Sequence, residues 1–225
     1  MSWTNNKVLL EYTEHTPCRE IFQAVCDEIG NHYQNAGFKY SSIKTHSRLN
    51  TENEKLKLEI KLWPSSYSTP GETVGLEIIP SFTSKQLEKL DDKKGFIIGH
   101  TGILYHKYTD DKSKIRVNQI FGDVLERTDP YSHESKIIDN HYCNVYGIDK
   151  EKFDKIINFI DTKILSWLPK LQTKEGILEL LKDASPTRVG ALSGMGTNSR
   201  FVRYVKLNFP DIDVEKELGI SSEIK

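Results

Sequence analysis

The segment Leu56-Lys57-Leu58-Glu59-Ile60-Lys61-Leu62 alternates aliphatic and charged residues without a break. Successive side chains of a strand point to opposite faces, so the aliphatics line one face and the charges the other. Val74, Leu76 and Ile78 alternate again after a loop, Pro64 to Gly71, built from Pro, Gly, Ser, Thr and Tyr. Such residues turn a chain, and the pattern predicts an antiparallel strand pair over about 56–79.

A helical period precedes the pair. Cys18, Ile21, Phe22, Val25, Ile29, Tyr33 and Ala36 recur at spacings of three and four, which places them on one helix face. Thr16-Pro17 reads as an N-cap followed by proline at the first helical position, and Gly37 stands where a left-handed C-terminal residue belongs. Phe38 to Arg48 reads as a first strand and Asn50 to Lys55 as a polar turn. Further along, Ser84 can cap a short helix to Leu90, Gly95 to Tyr108 suits strands around Gly99-His100-Thr101-Gly102, and Ile115 to Phe121 suggests one more strand.

The second half changes period. From Asp149, an N-cap candidate, Phe153, Ile156, Ile157, Ile160, Ile164, Trp167 and Leu168 form an amphipathic stripe that Pro169 is expected to end. Thr173 can cap a helix with Ile177, Leu180, Leu181 and Ala184 inside, Ser185-Pro186 repeats the cap signal, Thr197 or Asn198 opens a helix through Phe201 and Val205, and Asp213 caps a last turn ending at Gly219. Strands and helices are segregated along the chain. The expected fold is α+β, an antiparallel sheet packed against an N-terminal helix and followed by a helical C-terminal part. Residues 1–185 form the α+β domain and 186–225 a helical extension packed on it.

Composition agrees with a folded chain, 37% apolar and 28% charged. Lys and Arg number 31 against 32 Asp and Glu, a net charge of −1, so no bulk field draws the chain to nucleic acid or to an anionic membrane. The cysteines, Cys18, Cys26 and Cys143, are odd in number and lack CxxC spacing, which argues for a reducing compartment, taken as the cytoplasm. The N-terminal apolar run Val8-Leu9-Leu10 is too short for a signal peptide, and no stretch reaches the roughly 20 apolar residues of a membrane span.

Several local patterns run together: a helix into Gly37-Phe38-Lys39, the strand Leu58 to Trp63 entering Pro64-Ser65-Ser66, a second strand at Val74 to Ile79, and Trp167-Leu168-Pro169-Lys170-Leu171 before a capped helix. In these the chain resembles the DUF4304-like family of bacterial proteins of unknown function. The resemblance implies an α+β fold and carries no reaction, cofactor or catalytic residue. The tail from Pro186 departs from the family pattern.

Three groups of residues invite chemistry. Asp129, His133, Glu134, Asp139, His141 and Cys143 crowd one stretch with Tyr131 and Tyr142. Imidazole, carboxylate and thiolate are metal ligands, so His133, Asp139, His141 and Cys143 are metal candidates, although the spacing matches no standard motif. His100, His106, Glu59 and Glu77 are proton-transfer candidates, with alternation placing Glu59 beside Lys57 and Lys61 on the solvent face. Arg188, Arg200 and Arg203 surround a glycine-rich run, Gly190 to Gly196, that could hold a phosphate but fits neither the P-loop nor the dinucleotide fingerprint. Cys18 and Cys26 fall on the buried helix stripe, and GxSxG is absent. Trp63 and Tyr67, in and beside the strand-pair loop, are aromatic anchors for a partner.

No cofactor is implied. The expected function is a non-catalytic protein-binding or accessory factor, immunity-like in kind, whose partner is another protein and not a membrane or nucleic acid. The alternatives are a metal-dependent hydrolase using the Asp129 to Cys143 cluster, and phosphate or nucleic-acid binding through Arg188, Arg200 and Arg203.

Overall fold

The computed structural model describes residues 3–64, 68–90, 125–128, 135–138, 142–182 and 200–217. Helix α1 spans Lys7–Glu11 and α2 Cys18–Gln34. The strands are β1 (Lys39–Ser42), β2 (Ser47–Glu52), β3 (Leu56–Pro64), β4 (Gly75–Ser84), β5 (Leu125–Thr128), β6 (Ser135–Ile138) and β7 (Tyr142–Asn144). Helix α3 covers Lys85–Lys89, α4 Lys150–Phe159, α5 Trp167–Lys170, α6 Lys174–Lys182, α7 Arg200–Asn208 and α8 Val214–Glu217, with a π-helical turn at Ile160–Leu165 between α4 and α5.

A five-stranded antiparallel sheet in the order β1-β2-β3-β4-β7 carries the fold, and β5 pairs with β6 apart from it. The α+β class follows. The register sets Leu49, Ile60 and Pro80 on one row and Thr51, Leu58 and Phe82 on another, so the aliphatics of β3 face inward, with Leu58, Ile60 and Leu62 essentially fully buried. Ile21, Phe22, Val25, Cys26 and Ile29 of α2 join them in one apolar core. From Ile21 to Tyr33 the stripe read from sequence is therefore the buried face of α2, whereas Cys18 is half-buried and Ala36, expected on the same face, lies past the end of α2 and is exposed.

The C-terminal helices share this core. Tyr33 of α2 donates through its hydroxyl to the Asp161 carboxylate at 2.8 Å and lies 3.3 Å from the Ile157 carbonyl. Tyr204 of α7 donates to the Leu171 carbonyl at 2.7 Å, and Val202, Val205 and Val214 are buried. No helix among the described residues is long and apolar enough to cross a membrane.

Most predicted helix ends are in place. Gly37 has φ +87°, and the bonds Phe38 N–H to Tyr33 O and Gly37 N–H to Gln34 O, both 3.0 Å, form a Schellman cap that launches β1. Ser84, Asp149 and Asp213 accept from the backbone N–H groups of Leu87, Lys152 and Lys216. Thr173 Oγ1 accepts from Gly176 N–H at 3.1 Å.

Four expectations are corrected. Pro17 is the N-cap of α2, not its first residue, and Thr16 Oγ1 instead accepts from Thr13 N–H to close the preceding turn. The single strand expected over Phe38 to Arg48 is a hairpin, β1 and β2, because polar Ile43-to-His46 backbone folds back through an Ile43 N–H to His46 O bond of 3.0 Å. The polar turn shrinks accordingly: β2 runs to Glu52, and Asn53 Oδ1 accepts from Lys55 and Leu56 N–H as an Asx turn. Pro169 does not end the long helix. The π-turn interrupts it first, closed by Ser166 N–H to Asp161 O, and the backbone continues helical through Ser166 into α5, which holds Pro169 as the third of its four residues.

Inside the stretch read as one polar cluster, Ser135–Ile138 and Tyr142–Asn144 are strands. The expected strands at Gly95 to Tyr108 and Ile115 to Phe121, and the signals at Ala184, Ser185-Pro186, Thr197-Asn198 and Gly219, lie outside the described residues.

Candidate functional site

Two polar constellations stand at the β1–β2 hairpin, one on each face of the sheet. On the inner face, Gln23 and Asp27 lie one turn apart on α2 and meet Tyr40, Ser42 and Ser47 of the hairpin. Tyr40 donates to Asp27 Oδ1 at 2.7 Å, Gln23 Nε2 donates to the same oxygen at 2.8 Å, and Ser42 Oγ donates to Gln23 Oε1 at 2.9 Å. Ser47 Oγ lies 3.2 Å from the Tyr40 hydroxyl and is fully buried.

Burial lifts the Tyr40 hydroxyl well above its ordinary range; the Ser47 hydrogen bond opposes this and Asp27 adds to it. Burial likewise lifts the Cys26 thiol far above its ordinary range, against a smaller lowering by the Ser47 hydrogen bond. Neither group carries the depressed pKa of an activated thiolate or phenolate. The constellation locks the hairpin onto α2.

The outer face is different. By register Arg48, Lys61 and Ile79 share one row, Asn50, Glu59 and Ser81 the next, and Trp63 stands opposite Glu77. Arg48 Nη1 approaches Glu59 at 3.4 Å and Lys61 Nζ approaches it at 3.5 Å, partly exposed pairs worth at most about 1 kcal/mol each. Glu59 is thus on the solvent side, as alternation requires. At the corner, the His46 ring stacks on Trp63 with centroids 4.6 Å apart and planes 27° apart. Arg48 Nε donates to His46 Nε2 at 2.7 Å, and Thr45 Oγ1 lies 2.8 Å from His46 Nδ1. Arg19 of α2 clamps the turn from behind by donating to the Ile43 and Thr45 carbonyls at 3.3 and 3.4 Å. Trp63 is nevertheless 38% exposed and Ile43 42%.

Of the residues singled out from sequence, Trp63 therefore belongs to a structured corner. Cys143 lies on β7 opposite Leu76, faces the core, and has its thiol pushed up to about 12 by burial. His133, Asp139, His141, Tyr67, Arg188, His100 and His106 lie outside the described residues. Arg200 opens α7, and Arg203 is exposed three residues on. Among the described residues no group of three or more His, Cys, Asp or Glu is placed to hold a metal ion.

His46, Arg48, Gln23, Asp27 and Tyr40 were missed by sequence reading. Gln23 and Asp27 carried a usable signal, polar residues four apart beside an apolar stripe. His46 carried none, because its meaning depends on the unforeseen hairpin. No protein-family model, curated protein or solved structure matches the chain.

Proposed function

We propose that this chain is a non-catalytic binding protein that holds another protein at the corner of its sheet formed by Trp63, His46 and the 43–46 turn. The carrying observation is the half-exposed Trp63, braced by a buried histidine and standing on a sheet whose other face is the core. An aromatic stacked on a histidine, with the charged group Arg48, Lys61 and Glu59 further along the same face, has the composition of an interface centre beside a polar rim. Arg19 holds the turn in place before any partner arrives, which lowers the ordering cost of association.

Kinship with the DUF4304-like family belongs to the same proposal, supported by the Gly37-Phe38-Lys39 cap entering β1 and by the paired strands at Leu58 to Trp63 and Val74 to Ile79. So does a reducing, cytoplasmic address, supported by three cysteines that are all free, two of them buried.

The test is site-specific photocross-linking in the native cell. A benzophenone side chain at Ile43 is expected to give a discrete protein adduct, and the same probe at exposed Glu151 on α4 is not. With the captured partner purified, Trp63→Ala should weaken binding by about 2 kcal/mol, roughly 30-fold. Equal adducts from both positions, or none from Ile43, would overturn the reading.

A further inference from the structure

Within that reading, the stacked histidine suggests how the corner is regulated. Arg48 Nε has a hydrogen to give and His46 Nε2 receives it at 2.7 Å, so Nε2 carries a lone pair. The ring is then neutral, with its hydrogen on Nδ1 donated to Thr45 Oγ1 at 2.8 Å. A second proton on the ring has no place in this arrangement. It would set an N–H against an N–H and one cation against another.

The surrounding charges give no relief. Arg48 faces the ring from β2, Lys61 and Glu59 from β3, and Arg19 from α2, while Lys44 in the same turn is exposed. Glu59, the one carboxylate of the set, is already shared between Arg48 and Lys61. The backbone of the turn is held independently of the imidazole, by the Ile43 N–H to His46 O bond and by Arg19. The side chain can leave while the turn stays.

We propose that His46 is a proton-operated brace on Trp63: neutral, it stacks on the indole and keeps the corner in the form that holds the partner, and on protonation it swings off Arg48 and the corner releases the partner. The proposal rests on the corner being the binding site, but its first consequence needs no partner. Burial, then Arg48 and Lys61, hold the imidazole below its ordinary value of 6.5, with Glu59 opposing them. The folded protein therefore binds this proton less tightly than the unfolded chain does. The stability contributed by the stack is fully present above 6.5 and is lost as pH falls through the lower folded value.

The experiment is an NMR titration of the full chain from about pH 8 to about pH 5, following imidazole and indole resonances. His46 is expected to titrate below 6.5, with the Trp63 indole following the same midpoint while Trp3 and Trp167 do not. His46→Asn should abolish the Trp63 transition. Should that variant fail to fold, Arg48→Gln decides, since removing the donor and its charge should raise the His46 midpoint toward 6.5. A Trp63 resonance that stays fixed while His46 titrates, or a midpoint that Arg48→Gln leaves in place, would sink the proposal. Because both readouts are partner-free, failure here leaves the cross-linking result standing, and the reverse also holds.

Discussion

Replacing Gly30 with alanine is expected to destabilise the protein by about 2 kcal/mol, although alanine is the better helix former. A methyl group built on Gly30 would stand 2.6 Å from Tyr40 Cγ and 2.7 Å from both Cδ atoms, against the ring face. The ring cannot back away freely, because its hydroxyl is held by Asp27 at 2.7 Å. Overpacking of this kind costs about 3 kcal/mol, and the helical preference for alanine returns about 1. Urea unfolding measures the sum. The decisive comparison is a double-mutant cycle: once Tyr40→Ala has removed the ring, Gly30→Ala should become neutral or stabilising, a coupling of about 2–3 kcal/mol. If Gly30→Ala costs the same with or without Tyr40, the helix–hairpin packing described above is wrong.

Phe82→Ala should be the more damaging change, at about 4 kcal/mol. Phe82 is 1% exposed, stands opposite Leu58 in the β3–β4 register, and packs in the layer between sheet and helices. The loss combines transfer of the ring to water with the cavity left behind, so Phe82→Leu, which keeps most of the volume, should cost about 1 kcal/mol. Against a total stability of about 5–15 kcal/mol, that loss is roughly a quarter to four-fifths of the whole margin. The check is a shift of the denaturation midpoint at unchanged slope. A cost below about 1 kcal/mol for Phe82→Ala would mean that the core does not run through β4.

What was legible from sequence follows from which patterns are local. The β3–β4 pair, the α2 stripe, and the caps at Gly37, Ser84, Asp149, Thr173 and Asp213 depend on residues a few positions apart, and the structure contains each of them. The β1–β2 hairpin was not legible, since its turn, Ile43-Lys44-Thr45-His46, has neither Gly nor Pro and is held by Arg19 from another element. The π-turn escaped for a similar reason: its Asp161 is tied to Tyr33, more than a hundred positions earlier. Trp63 was singled out as an aromatic anchor, yet its partner His46 could be paired with it only after the hairpin register was known.

The placement of β7 bears on the order in which the sheet is assembled. Strands β1 to β4 follow one another along the chain and zip from turn to turn, so each pairing closes a short loop. β7 must come back to the start of β4, where Asn144 Oδ1 accepts from Val74 N–H across 70 positions and from Tyr146 N–H, while its amide donates to the Glu72 carbonyl. Closure entropy grows with the logarithm of loop length, so this rung carries the largest closing cost of the sheet. A three-residue strand offers few ladder bonds against that cost, and Asn144 adds the missing ones as a side-chain clip. The asparagine at the end of β7 is thus where the late part of the chain is fastened to the early part.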